Sequence, residues 1–200
     1  MAATGLANAV HLCVDMQRLF CEPTEWQTPW MERILPNVIR LVEARPGRTA
    51  FTRFIPLNNA SQGWGTWRSY YHRYEAMTLE RLRPDLIDLH DALASFTPPA
   101  LVFDKHVYSP WWSPSLHTRL QQDHVSTLLL TGGETEICVL ATLLGAIDLG
   151  YRVIVISDGV FSSADPTHDA MLYIYRSRFG TQMEMATSDE ILPLWRAAGE

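Results

Sequence analysis

Six short runs along the chain are apolar or β-branched: AVHLCVD (9–15), RTAFTRF (48–54), ALVFDKH (100–106), STLLLTG (126–132), RVIVISD (152–158) and TQMEMAT (181–187). Several are apolar at both odd and even positions, the pattern of a strand covered on both faces in a parallel sheet. Between them, helical periodicity predicts helices over 31–45, 84–95, 114–122, 135–149, 166–178 and 188–197. Ser188, with Asp189 and Glu190 in the next turn, and Asp165 followed by Pro166 supply start signals; Gly150 and Gly180 supply stops. Strand and helix alternate throughout, which predicts a three-layer α/β/α sandwich around a six-stranded parallel sheet. The expected strand order is Rossmann-like, 3-2-1-4-5-6.

One segment breaks the alternation. Residues 55–83 hold Trp64, Trp67, Tyr70, Tyr71 and Tyr74 between the second strand and the next helix. A connection this long inside a compact domain is functional or an interface, so a substrate lid and a packing surface both stand. Trp67, Tyr71 and Tyr74 are spaced to share one helix face. A second aromatic cluster, Tyr108, Trp111 and Trp112, follows the third strand.

Composition narrows the class. Two hundred residues suit one domain, 1–200, with a full core. An apolar fraction of 47% and a charged fraction of 19% describe an ordinary globular chain. A net charge of −6 with scattered arginines argues against a nucleic-acid partner. No apolar stretch is long enough for a bilayer, and MAATGLANAV lacks the regions of a signal peptide. Three cysteines without paired spacing make no disulfide framework, so a cytoplasmic, reducing location is expected.

The chain has fifteen arginines and a single lysine, Lys105. On a solvated face the two residues are nearly equivalent; they differ where a compact ammonium is needed instead of a planar fork. A leftover surface lysine is the plain alternative. Asp15 and Cys138, however, also fall at or just beyond the ends of apolar runs, where ligands bind in open parallel sheets. A carboxylate finishing a buried strand is costly unless paired or functional; helix capping or a structural ion pair would also account for Asp15. Cys138 follows the Gly-rich turn TGGET in the opening turns of a helix, where the helix N-terminus should lower a thiol pKa and offer free N–H groups. A buried inert cysteine is the alternative there, and the expected state of Cys13. TGGETE has neither GxGxxG nor GxxxxGK and is no nucleotide loop.

These residues resemble the isochorismatase-like cysteine hydrolases over essentially the whole chain. The resemblance rests on DMQ (15–17), Lys105 with the YS pair at 108–109, TGGETEICV (131–139) and SDGVFSS (157–163). It implies Cys138 as nucleophile, Asp15 as general base and Lys105 as catalytic lysine. It also implies a non-proline cis peptide at Gly133–Glu134, with the N–H groups of Glu134 and Cys138 converging on one oxyanion. Gln17, Phe20, Trp67, Tyr108 and Trp111 are the candidate pocket residues. The implied reaction is hydrolysis of a small amide or related C–N bond through an acyl thioester, with no cofactor, in a homo-oligomer, a dimer or tetramer. Nicotinamidase-type members carry an Asp-x-His metal pair where this chain has Thr52-Arg53-Phe54, so no metal is expected. His106 should point away from the lysine, and His72 and His168 read as helix or surface residues. Members cleaving the vinyl ether of isochorismate lack the cysteine. A catalytically silent binding or assembly protein, an isochorismatase-type ether hydrolase, against which Cys138 argues, and a Cys138 redox sensor are the remaining alternatives.

In the assumed order Lys105 starts two strand spacings, ~10 Å, from Asp15, a gap that its stem and the sheet twist must close. If it lies between Asp15 and Cys138, Lys105→Arg should damage turnover nearly as much as Lys105→Ala, since ~1 Å of misplacement can cost ~10²-fold. The thermal midpoint should stay near the parent's, with Arg119→Lys as control. Full turnover in Lys105→Arg would return Lys105 to the surface.

Overall fold

The computed structural model describes residues 6–199; residues 1–5, which include half of the segment weighed as a leader, and residue 200 lie outside that range. Among the described residues six parallel strands form one sheet in the order β3-β2-β1-β4-β5-β6. They are β1 (Ala9–Val14), β2 (Thr49–Phe54), β3 (Leu101–Lys105), β4 (Thr127–Gly133), β5 (Arg152–Phe161) and β6 (Met183–Ala186). The helices are α1 (Arg18–Cys21), α2 (Met31–Ala44), α3 (Thr66–Arg73), α4 (Asp91–Ala94), α5 (Pro114–Gln122), α6 (Leu140–Asp148), α7 (Asp165–Arg178) and α8 (Ser188–Ala197). No helix among the described residues is long and apolar enough to cross a membrane.

The period-two rule sorts the strand side chains into two cores. Val10, Leu12, Leu128, Leu130, Val153 and Val155 pack with Leu116, Leu120, Leu143 and Tyr175 of α5, α6 and α7. Ala9, Leu129, Ile154 and Ile156 face the other way, onto Leu41 of α2 and Ile191, Leu192 and Trp195 of α8. Both faces of the central strands are therefore buried, as their unbroken apolar runs require, while the edge strand β3 leaves Val102 and Asp104 exposed.

Several boundaries differ from expectation. The 84–95 helix is absent: a 3₁₀ turn covers Pro84–Ile87, and α4 is a single turn. Between them Leu89 pairs with Gln17 as an antiparallel bridge, and the N–H of His90 donates to Met16 O, so tertiary backbone pairing overrides local periodicity. Strand β5 runs to Phe161 because its register against β4 shifts between Leu130 and Gly132. Helix α8 is capped by Thr187, in a capping box with Glu190, leaving Ser188 inside the first turn. Asp165 and Pro166 occupy the first turn of α7 after an Ala164 cap. Gly150 has the left-handed φ of 84° that a stop residue needs, whereas Gly180 does not take that conformation.

His11 is buried in β1, its Nε2 2.8 Å from Thr131 Oγ1. Burial holds its imidazole down at about 3, against ~6.5 in an unfolded chain. Below ~6.5 the unfolded chain takes up a proton that the fold refuses, so this contribution is intact above that value and is lost as pH falls toward 3. The cost rises by about 1.4 kcal/mol per pH unit for one group. The thermal midpoint should therefore drop between pH 7 and pH 4.5, and the drop should shrink in His11→Gln. An equal drop in that variant would assign the acid sensitivity to other groups.

Candidate active site

The three chemically distinctive residues meet where the strands end. Asp15 follows β1, Lys105 closes β3, and Cys138 lies in a π-helical turn, Thr135–Val139, that leads from β4 into α6. Lys105 pairs in register with Phe54, two residues past the level at which β1 ends, and its Nζ lies over the Phe54 ring, 5.2 Å from the centroid. That reach closes the gap left by the intervening strand. Lys105 Nζ is 2.7 Å from Asp15 Oδ2, 3.4 Å from Cys138 Sγ and 3.2 Å from Val107 O. An ammonium has three donors, and each has a partner here.

Relative exposures are 1% for Asp15, 4% for Lys105 and 7% for Cys138. At that depth an unpaired charge would be prohibitive, so the ion pair and its hydrogen bonds keep both charges in place. Burial pulls the Lys105 ammonium down, but Asp15 and Cys138 more than offset it, and the net direction is up. Burial pushes the Cys138 thiol well up; Lys105 opposes this, while the neighbouring Asp15 charge adds to it. The expectation that the helix N-terminus would lower this thiol is overturned. Desolvation is the largest influence on this thiol.

Local structure fixes each group. Asp15 has a left-handed φ of 52°, a conformation Asp tolerates better than most residues. Its N–H donates to Thr52 O at 3.2 Å, and Thr52 Oγ1 donates to Asp15 Oδ1 at 2.6 Å. Gly132, at φ 101°, lets β4 pass beside β1; a Cβ there would lie 2.0 Å from Val14 O. The Gly133–Glu134 peptide is cis. The Thr135–Val139 turn is pinned by Tyr175, whose hydroxyl donates to Thr135 O at 2.6 Å, and by Thr142, which donates to Cys138 O at 2.6 Å. Thr135 donates its single hydroxyl proton to Phe161 O, so it accepts from His168 Nδ1 at 2.9 Å. His168 is thus a buried brace rather than a surface residue. His72 is exposed; His106 is exposed and sits 3.0 Å from Ile55 O.

A cavity of about 320 Å³ opens onto Cys138. Phe20 and Tyr108 line it as expected, together with Gly133 and Glu134. Gln17 does not: it is fully buried, ties Phe54 and Ile87 to the end of β1 through backbone hydrogen bonds, and has no atom left for a ligand. Trp67 packs behind the wall against Tyr108, Tyr70 and Tyr71. Trp111 points away, donating to Thr142 O and stacking on Tyr151. Trp26, Phe54, Tyr70, Tyr74 and Glu25 line the cavity instead. Tyr70 and Tyr74 come from the 55–83 segment, so part of that segment is cavity wall.

The Thr52-Arg53-Phe54 positions do not fit a metal. Thr52 is bonded to Asp15, Arg53 forms a two-pronged ion pair with Asp104, and Phe54 lies under Lys105. Elsewhere, Cys21, Glu32 and His90 bring ligand atoms within 4.8 Å of one another. There His90 Nδ1 accepts from the Ala92 N–H, which leaves the ring proton on Nε2, 3.3 Å from Glu32, and burial raises the Cys21 thiol to about 11. Those hydrogen bonds engage both ring nitrogens of His90 within the protein.

The profile of the isochorismatase domain matches residues 9–187. The chain belongs to the isochorismatase family. It is 28% identical over 170 residues to an Arabidopsis thaliana protein named "Probable inactive nicotinamidase", spanning 82% of this chain and 85% of that one. In fold it matches a cysteine hydrolase from Pseudomonas syringae pv. phaseolicola with a TM-score of 0.84, at 23% identity over 99% of this chain and 95% of that one. It also matches the N-carbamoylsarcosine amidase of Thermoplasma acidophilum with a TM-score of 0.72, at 22% identity over 92% and 98%. The isochorismatase-like α/β fold and membership of a hydrolase family follow from these matches.

Thr52 acts through Asp15 and does not line the cavity. Thr52→Val keeps its volume and removes one hydrogen bond to a charged group, worth about 1.5–3 kcal/mol. The expected result is a kcat ten- to a hundred-fold lower with KM little changed, restored by Thr52→Ser. A loss confined to KM, or no recovery with serine, would remove this positioning role.

Proposed function

We propose that this member of the isochorismatase family is a cysteine-dependent hydrolase of a small amide or related C–N bond. The observation that carries the reading is one ammonium, Lys105, bonded both to a carboxylate and to a thiol that lines a cavity. A thiol pushed up by burial is a poor nucleophile until a base takes its proton, and Asp15 is the carboxylate that shares the Lys105 ammonium with it. Asp15 accepts the thiol proton, and the thiolate formed is held by Lys105. It attacks the carbonyl carbon, and the oxyanion turns toward the N–H groups of Glu134 and Cys138. The tetrahedral intermediate collapses, the C–N bond breaks, and Asp15 returns its proton to the leaving nitrogen. Water, deprotonated by the same carboxylate, then hydrolyses the thioester and frees Cys138.

A silent binding role, the reading that suits the relative named as inactive, gains no support from the residues, since none of the three groups is missing. A redox sensor needs a resolving thiol. Cys13 sits inside β1 with its thiol pushed up to about 12, a state of low reactivity. The reading places the protein as a single domain in a reducing compartment with its three cysteines free. Exposed Trp112, at 79%, and Tyr173, at 72%, favour a homo-oligomer.

Incubation with a small amide series followed by acid quench should leave an acyl mass on the peptide containing Cys138, and Cys138→Ser should abolish it. Asp15→Asn should lower turnover by about 10²–10⁴-fold while the fold survives. Turnover without an adduct in wild type, or near-full activity in Asp15→Asn, would sink the mechanism.

A further inference from the structure

The cavity beside Cys138 has a chemical bias that hydrolysis alone does not require. Much of its wall is aromatic, with Trp26 at the centre of a cluster. Its ring lies 6.3 Å from Phe20, 5.7 Å from Phe54, 5.9 Å from Tyr70 and 6.0 Å from Tyr74, centroid to centroid. The only charged side chains in the lining are two acids, Glu25 and Glu134; no lysine, arginine or histidine joins them. Lys105 lies beneath, and its charge is already matched by Asp15 at 2.7 Å.

Both acids retain accepting capacity. Glu134 uses Oε1 on the Ser163 N–H at 2.8 Å. Glu25 has a single long contact, 4.0 Å, with the largely exposed Arg73. That guanidinium also sits over the Tyr74 ring, 5.2 Å from its centroid. At the rim, then, a cation of the protein is already held between one of these rings and one of these carboxylates. Ring faces and carboxylates both attract cations, and both repel a carboxylate brought without its own counter-charge.

We infer that the substrate is a cationic amide, whose far end carries an ammonium or guanidinium group held by the aromatic wall and Glu25. The inference rests on the hydrolase reading for its amide end, and on the cavity alone for its charge. A volume of about 320 Å³ restricts the substrate to a single ring or a short chain.

Three benzamides of similar shape test it: 4-(trimethylammonio)benzamide, 4-tert-butylbenzamide and 4-carboxybenzamide. Calorimetric binding to Cys138→Ser isolates recognition from chemistry. The cationic compound should bind at least ten-fold tighter than the neutral one, and the anionic compound at least ten-fold weaker. Added salt should compress the spread, and Glu25→Gln should narrow the gap between cationic and neutral compounds at least three-fold. Equal affinities, or preference for the carboxylate, would overturn the inference even if all three were hydrolysed by wild type. The predicted order of binding without turnover or adduct in wild type would keep the charge preference and remove the hydrolase.

Discussion

Two opposite charges buried side by side, on Asp15 and Lys105, set the terms for everything around them. Removing an ion pair of this kind from water costs several kcal/mol per ion, repaid only by close geometry and further hydrogen bonds. Here the geometry is a 2.7 Å contact, and the further bonds come from Thr52 to the carboxylate and from the ammonium to Val107 and Cys138. Taking either charge away leaves the other unbalanced. The network therefore constrains the neighbouring residues more tightly than their own packing would.

The sheet order makes that network possible. With β1 between β2 and β4, the strand bearing the carboxylate has the lysine strand two places to one side and the cysteine turn immediately to the other. A long flexible stem spans β2, and it brings the ammonium over the Phe54 ring. On the other side, Gly132 removes the Cβ that would strike the β1 backbone and so lets the TGG turn close against Asp15. The left-handed Asp15, the glycine turn and the buried lysine form one arrangement distributed over three strand ends.

How much of this could be read beforehand depends on the range of the forces involved. Strands buried on both faces announce themselves, because each residue's environment is set by parity alone. Asp15, Lys105 and Cys138 were legible for the same reason: ionisable groups at the ends of apolar runs conflict with their surroundings unless they have partners. Gln17, Trp67 and Trp111 were misassigned because polarity and aromaticity fix what a side chain can do, not which way it points. Gln17 satisfies backbone groups of two distant segments, and Trp111 finds Thr142 on α6, contacts with no local signature. Trp26 and Glu25 carried no signal at all, lying in an irregular loop before α2. The 84–95 helix failed where the bridge from Leu89 to Gln17 outweighed the local periodicity.

The direction in which burial moves the thiol connects these points. A helix N-terminus in water would favour a standing thiolate, reactive toward any oxidant or electrophile that reached it. At 7% exposure the dominant influence on Cys138 is desolvation, which keeps the proton on sulfur. In the proposed mechanism the ammonium gains most when that proton moves to Asp15, because it then faces a thiolate only during reaction, and an interaction stronger at that stage than at rest is the kind that accelerates a chemical step. A guanidinium could supply the same charge but not three tetrahedral contacts within so small a volume. In a chain that otherwise uses arginine for every cation, the one lysine stands where compactness, rather than charge, is required.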